Sequence, residues 1–117
     1  MKRIEKNSDL ILDIDDSMDQ ITVIWQGRST ERDPSQFLNP IFREISDQGK
    51  NIVFDFQELE YMNSSTLTPI IKMLELVKIK QGKLLITYAK NLKWQLMSFS
   101  ALEVFKTSDN KIDIVGK

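Results

Sequence analysis

Residues 52–66 read IVFDFQELEYMNSST. With Asn51 before it, Ile52-Val53-Phe54-Asp55-Phe56 is a near-continuous apolar run, the pattern of a central strand covered on both sides. A loop follows. Asn63-Ser64-Ser65-Thr66 then opens a long amphipathic helix with Leu67, Ile70, Ile71, Leu74 and Val77 on one face and Lys72, Glu75, Lys78 and Lys80 on the other. Pro69 falls within the first turns, where proline is best tolerated, and Gly82 is expected to cap the end.

The pattern continues on both sides of this stretch. Downstream, Lys83–Tyr88 is a strand, Asn91 caps a helix with Leu92, Leu96 and Phe99 in one row, and Ile112–Val115 is a last short strand. Upstream, Leu10–Ile14 and Ile21–Gln26 read as two strands of a hairpin, joined by the acidic turn Asp15–Asp19, with Gly27 ending the second. Arg28–Asp33 is a polar loop. Asp33-Pro34 looks like a helix start, and Phe37, Leu38, Ile41, Phe42 and Ile45 share one helical face closed by Gly49. Pro40 leaves two readings open: a helix kinked there, or a regular helix beginning at Asn39-Pro40. The order is β-β-α-β-α-β-α-β. Strands alternating with helices imply parallel pairing through right-handed crossovers, in a sheet of about five strands.

Composition removes whole classes of function. The chain has 117 residues, no cysteine and no histidine. A thiolate nucleophile, a Ser-His-Asp triad, a His-ligated zinc and a disulfide framework are all excluded. Neither GxGxxG nor GxxxxGK[ST] occurs, so the usual phosphate-cradling loops are missing. The N-terminus lacks the apolar stretch of a signal peptide, and no run approaches the roughly 18 apolar residues of a membrane span. One cytoplasmic domain over residues 1–117 is expected, with a radius of gyration of roughly 13 Å. Residues 1–63 carry 7 Lys/Arg against 13 Asp/Glu, and residues 64–117 carry 9 against 4, so the halves stand at −6 and +5. Either each half solvates its own surface, or the molecule has faces of opposite sign that would steer a protein partner. The cations are spaced out and the pI is 5.5, which does not fit a nucleic-acid footprint.

The segment 52–66 resembles the signature of STAS domains of the anti-sigma factor antagonist family: a hydrophobic strand ending in Asp, a short loop, an aromatic-Met pair, then Asp-Ser-Ser-Gly. Lys72–Lys83 resembles the family's helix and its Gly-Gly-like turn, Leu84–Tyr88 the next strand, and Ser100-Ala101-Leu102-Glu103-Val104-Phe105 its small-Leu-x-x-Phe ending. The resemblance covers about two-thirds of the chain, and the N-terminal hairpin fits in order. It implies a small mixed sheet with helices mainly on one face. It also implies a bacterial, non-enzymatic regulator that binds a protein partner, typically an anti-sigma factor with a kinase fold, and is switched off by phosphorylation of the serine after the motif's Asp. That serine is Ser64, with Ser65 the second choice, and the strand-terminal Asp is Asp55. Two positions depart from the pattern: Asn63 stands for Asp and Thr66 for Gly. Asn caps a helix about as well as Asp but brings no charge. Thr66 puts a β-branched side chain close to where a partner would lie.

Parallel strands bring the loops Arg28–Asp33, Asn63–Thr66 and Lys90–Lys93 to one end of the sheet. Arg28, Arg32, Lys90 and Lys93 are therefore expected to flank Ser64, ready for a phosphate or an acidic partner surface. The partner-binding set is then Asn63, Ser64, Ser65 and Thr66 with those four cations. An alternative is a constitutive scaffold or oligomeric subunit of a sensory complex without a phospho-switch, which Asn63 and Thr66 favour. No phosphate loop speaks for a nucleotide-binding member. Trp25 and Trp94 are either interface anchors or core packing. Asp13, Asp15, Asp16 and Asp19 lack the Gly and Glu of a calcium loop. Asp55 with Glu58 or Glu60 lacks a pocket or nucleophile, so neither a catalytic residue nor a metal or cofactor is expected.

Overall fold

The computed structural model describes residues 1–117. Three antiparallel strands come first: β1 (Lys2–Asn7), β2 (Leu10–Asp16) and β3 (Gln20–Ser29). They are followed by α1 (Ser35–Asp47), β4 (Asn51–Asp55), β5 (Leu59–Met62), a 3-10 turn over Ser64–Thr66 and α2 (Leu67–Lys78). The chain closes with β6 (Leu84–Tyr88), α3 (Lys93–Ser100), a 3-10 stretch over Ala101–Phe105 and β7 (Ile112–Gly116). The strands form one mixed sheet in the order β1-β2-β3-β4-β6-β7, with β5 continuing beside β3. Every pairing from β3 onward is parallel. The radius of gyration is 13.1 Å.

The expected α/β order holds, with two additional strands. β1 has the sequence KRIEKN, in which only Ile4 is apolar, so no hydrophobic alternation announces it. β5 is four residues long and lies inside what reads as a loop. The third helix turns out differently along its surface. The row Leu92, Leu96, Phe99 does not face inward together: Phe99 is buried, while Leu92 and Leu96 are exposed.

One face of the sheet carries the core. Leu12 and Ile14 of β2, Val23 and Trp25 of β3, Phe54 of β4 and Ile86 of β6 pack against Phe42 of α1, Ile70 and Leu74 of α2 and Phe99 of α3. Trp25 is fully buried, with the rings of Phe42, Phe54 and Phe56 at 5.9, 5.7 and 4.5 Å, so it is core packing and not an interface anchor. Trp94 is half-buried against the same cluster. β4 is covered on one side only: Ile52 and Phe54 are buried, whereas Val53 and Asp55 are half-buried on the open face. Two-sided coverage of this strand is therefore absent, although its apolar run calls for it.

The glycines and prolines correct several local expectations. Gly49 has φ +71° and ends α1, as its sequence position suggests. Gly27 does not end β3. It has φ +80° and forms a bulge after which the strand continues to Ser29, and a Cβ there would lie 2.0 Å from the Asp9 carbonyl oxygen. Gly82 caps nothing, because α2 stops at Lys78. Its role is close approach, since a Cβ would stand 1.9 Å from the Lys50 carbonyl oxygen. Pro40 lies inside α1, which begins at Ser35, so the first of the two readings describes where the helix runs.

Candidate functional site

The bulge at Gly27 builds the site. Before it, β3 pairs with β4; after it, the register shifts and Arg28 and Ser29 pair with Tyr61 and Met62 of β5. The end of β3 is thereby laid against the start of the Asn63–Thr66 turn. The Asn63 backbone N–H donates to the Ser29 carbonyl at 3.0 Å. The Arg28 guanidinium lies over the Tyr61 ring, 4.9 Å from its centre.

Asn63 caps the turn from extended backbone (φ −81°, ψ 169°). Its Oδ1 accepts from the Thr66 N–H at 3.2 Å and from the Thr66 hydroxyl at 2.8 Å. Its Nδ2 donates to the Glu31 carbonyl at 2.8 Å, which ties the 28–33 loop to the turn. Thr66 is fully buried, and its Oγ1 is 2.7 Å from the equally buried Ser29 Oγ. The Thr66 proton is committed to Asn63, so the Ser29 hydroxyl is the donor in that pair. Asn63 and Thr66, the two departures from the family motif, are thus partners in one network. Thr66 faces the interior and not a partner.

Ser64 is the first residue of the turn and not its cap. Asn63 supplies the cap, while Ser64 is exposed and its hydroxyl makes no hydrogen bond within the chain. Ser65 is half-buried. The structure brings the 28–33 loop and the Asn63–Thr66 turn together through the Asn63 bonds. None of Arg28, Arg32, Lys90 and Lys93 makes an ion pair. Arg32 lines a polar cavity of about 310 Å³ with Asn7, Glu31 and Asp33. Lys90 and Lys93 are exposed around the start of α3.

The acidic candidates separate. Asp16 accepts from Lys50 Nζ at 2.7 Å, a bond that holds its carboxyl below the usual range. Asp55 accepts from the backbone and side chain of Gln57 at 3.0 and 3.1 Å, and Glu58 from Gln26 at 3.0 Å. No three ligating side chains come together.

Two residues escaped the sequence reading. Ser29 sits 37 positions from its partner Thr66. Gln95, on α3, is fully buried: its Oε1 accepts from the Ala89 N–H at 2.7 Å, and its Nε2 donates to the carbonyls of Phe56 (2.6 Å) and Leu59 (3.0 Å). It fastens α3 to the corner that leads into β5 and hence to the turn. A lone glutamine inside an apolar helix row was the available signal.

No protein-family model matches the chain, and no curated protein matches it in sequence. The structure is similar to the crystal structure of an anti-sigma factor antagonist from Mycobacterium paratuberculosis. The TM-score is 0.64 at 13% identity, over 87% of this chain and 90% of that one. The chain therefore has a STAS-like fold.

Proposed function

We propose that this protein is a non-enzymatic regulatory module that binds a protein partner through Asn63–Thr66 and the flanking cations Arg28, Arg32, Lys90 and Lys93. Phosphorylation of Ser64 releases the partner, which belongs to the anti-sigma factor or serine-kinase class, in a bacterial cytoplasm. The fold shared with an anti-sigma factor antagonist supports the regulatory role. No helix is long and apolar enough to cross a membrane.

The observation that carries the reading is the contrast within four residues. Asn63 and Thr66 are locked by hydrogen bonds, while the Ser64 hydroxyl between them is exposed and unbonded. A phosphate there adds a charge of about −1.5 to −2 beside the positive end of a helix. The turn tolerates it, whereas a closely packed partner face must desolvate it. Modification therefore breaks a complex without unfolding the chain.

Intact-protein mass spectrometry with phosphosite mapping, on material from the native cell, tests the switch. One added phosphate on Ser64 is expected in part of the population, with Ser65 the second choice. Against a captured partner, Ser64→Asp is expected to lose binding at an unchanged melting temperature, and Ser64→Ala to retain it. Equal binding by wild type, Ala and Asp would end the switch reading. A chain unmodified under several growth conditions would favour the constitutive scaffold, for which the uncharged Asn63 already speaks.

A further inference from the structure

α1 packs against α2, and the two helices leave a cleft of about 450 Å³. Its walls follow from helical spacing. Asn39, Phe42 and Arg43 stand at i, i+3 and i+4 on α1, and Lys72, Glu75 and Leu76 do so on α2. Phe42 and Met73 line it as buried residues, with Leu76 half-buried beside them. Ile79, just past the end of α2, lines the same cleft while 79% exposed. An apolar cleft of this volume, with a few polar groups converging on it, is the usual form of a small-molecule site.

The charges on the walls narrow the ligand. The acids elsewhere on α1 are engaged, Glu44 with Arg3 and Asp47 with Lys80. Arg43 of α1 and Lys72 and Glu75 of α2 form no ion pair, with one another or with any other residue. Charges of both signs thus line one cleft without neutralising each other. A simple anion entering it would meet Glu75, and a simple cation would meet Arg43 and Lys72. A ligand that carries both charges on an apolar body satisfies all three groups and the apolar lining together.

We infer that the α1–α2 cleft binds a free α-amino acid with an apolar side chain, of the leucine or phenylalanine class. The ligand carboxylate pairs with Arg43 and Lys72, and its ammonium pairs with Glu75. Its side chain lies on Phe42, Met73, Leu76 and Ile79. Asn39 adds an amide able to donate to the carboxylate. Both ligand charges are attached to the same carbon, so a molecule this small brings the two signs into one cleft. This inference does not depend on the Ser64 switch.

Nuclear magnetic resonance titration of the full chain with L-leucine and with L-phenylalanine tests it. Saturable shifts at the cleft residues are expected, with a dissociation constant of roughly 10 μM to 1 mM for so small a ligand. N-acetyl-L-leucine lacks the ammonium and L-leucinamide lacks the carboxylate, and each is expected to bind the wild type about fivefold more weakly or worse. Glu75→Gln and Arg43→Gln alter exposed side chains without ion pairs, so both are expected to keep the wild-type melting temperature. Glu75→Gln is expected to weaken L-leucine by about fivefold or more without weakening N-acetyl-L-leucine. Arg43→Gln is expected to weaken L-leucine similarly without weakening L-leucinamide. The blocked ligands need no variant, so the comparison stands even if a variant fails to fold. No saturable shift up to roughly 10 mM, shifts confined to residues outside the cleft, or equal binding of L-leucine and N-acetyl-L-leucine would each overturn the inference.

Discussion

Asn63 and Thr66 act as a pair, and single substitutions expose what each contributes. Asn63→Asp retains the acceptor for Thr66 but loses the amide that donates to the Glu31 carbonyl. A loss of about 1 kcal/mol is expected. Thr66→Val keeps the shape and removes a buried hydroxyl, leaving Ser29 Oγ without its partner. The expected loss is about 1–3 kcal/mol. Urea unfolding measures both, and a Thr66→Val variant as stable as wild type would show that the network contributes nothing. The sequence displayed both departures from the family motif but not their connection. The third member, Ser29, arrives on another strand through the Gly27 bulge, and no local spacing encodes that meeting. The inward direction of Thr66 was for the same reason illegible.

At the scale of elements, α3 shows how a backbone requirement overrides hydrophobic order. The corner between β4 and β5 and the end of β6 leave the Phe56 and Leu59 carbonyls and the Ala89 N–H inside the protein, and each requires a partner. Gln95 serves all three, so the helix turns Gln95 inward and leaves Leu92 and Leu96 outside. Gln95→Leu fills similar volume but takes the acceptor from the Ala89 N–H and a donor from the Leu59 carbonyl, while the Phe56 carbonyl keeps the Leu59 N–H at 3.0 Å. It is expected to cost about 3 kcal/mol or more. Amide exchange in Leu59–Met62 should quicken beyond the change in global stability, whereas uniform acceleration would deny Gln95 a local role. The other helices and the strands β2, β3, β4, β6 and β7 were readable as elements from their apolar patterns, although the run in β4 calls for cover on both faces and only one has it. β1 was not, having one apolar residue, and β5 was not, being four residues long.

For the whole molecule, two ion pairs join the meander to the α1–β4 segment that follows it. Arg3 of β1 bonds Glu44 of α1, and Asp16 at the end of β2 bonds Lys50 just before β4. The Arg3 bond lowers the Glu44 pKa, and the Lys50 bond lowers that of Asp16. A carboxylate whose folded pKa lies below its unfolded value stabilises the fold above the unfolded value. That contribution is lost as the pH falls through the ordinary values of 4.5 and 3.8 and on through the lowered ones. Melting temperatures are expected to hold from neutral pH to about 5 and then decline. Lys50→Met should decline less steeply, and identical acid profiles would remove Asp16 from the account. The order of elements was legible at this scale, while the uncovered sheet face was not, because an apolar run shows that a residue suits cover without showing whether the chain supplies it. β3 has a further consequence, in the timing of biosynthesis. It bonds β2 along one edge and both β4 and β5 along the other. The meander is complete at Ser29 and closes through links of two residues (8 and 9) and three (17–19), while each parallel partner is synthesised later and most wait for a helical crossover. The corner that leads into β5 and on to the Ser64 turn is fastened by Gln95 of α3, so that corner gains its last hydrogen bonds only after α3 has been made. A kinase that reads the folded turn, as the proposed switch requires, would act on chains in which α3 is already in place.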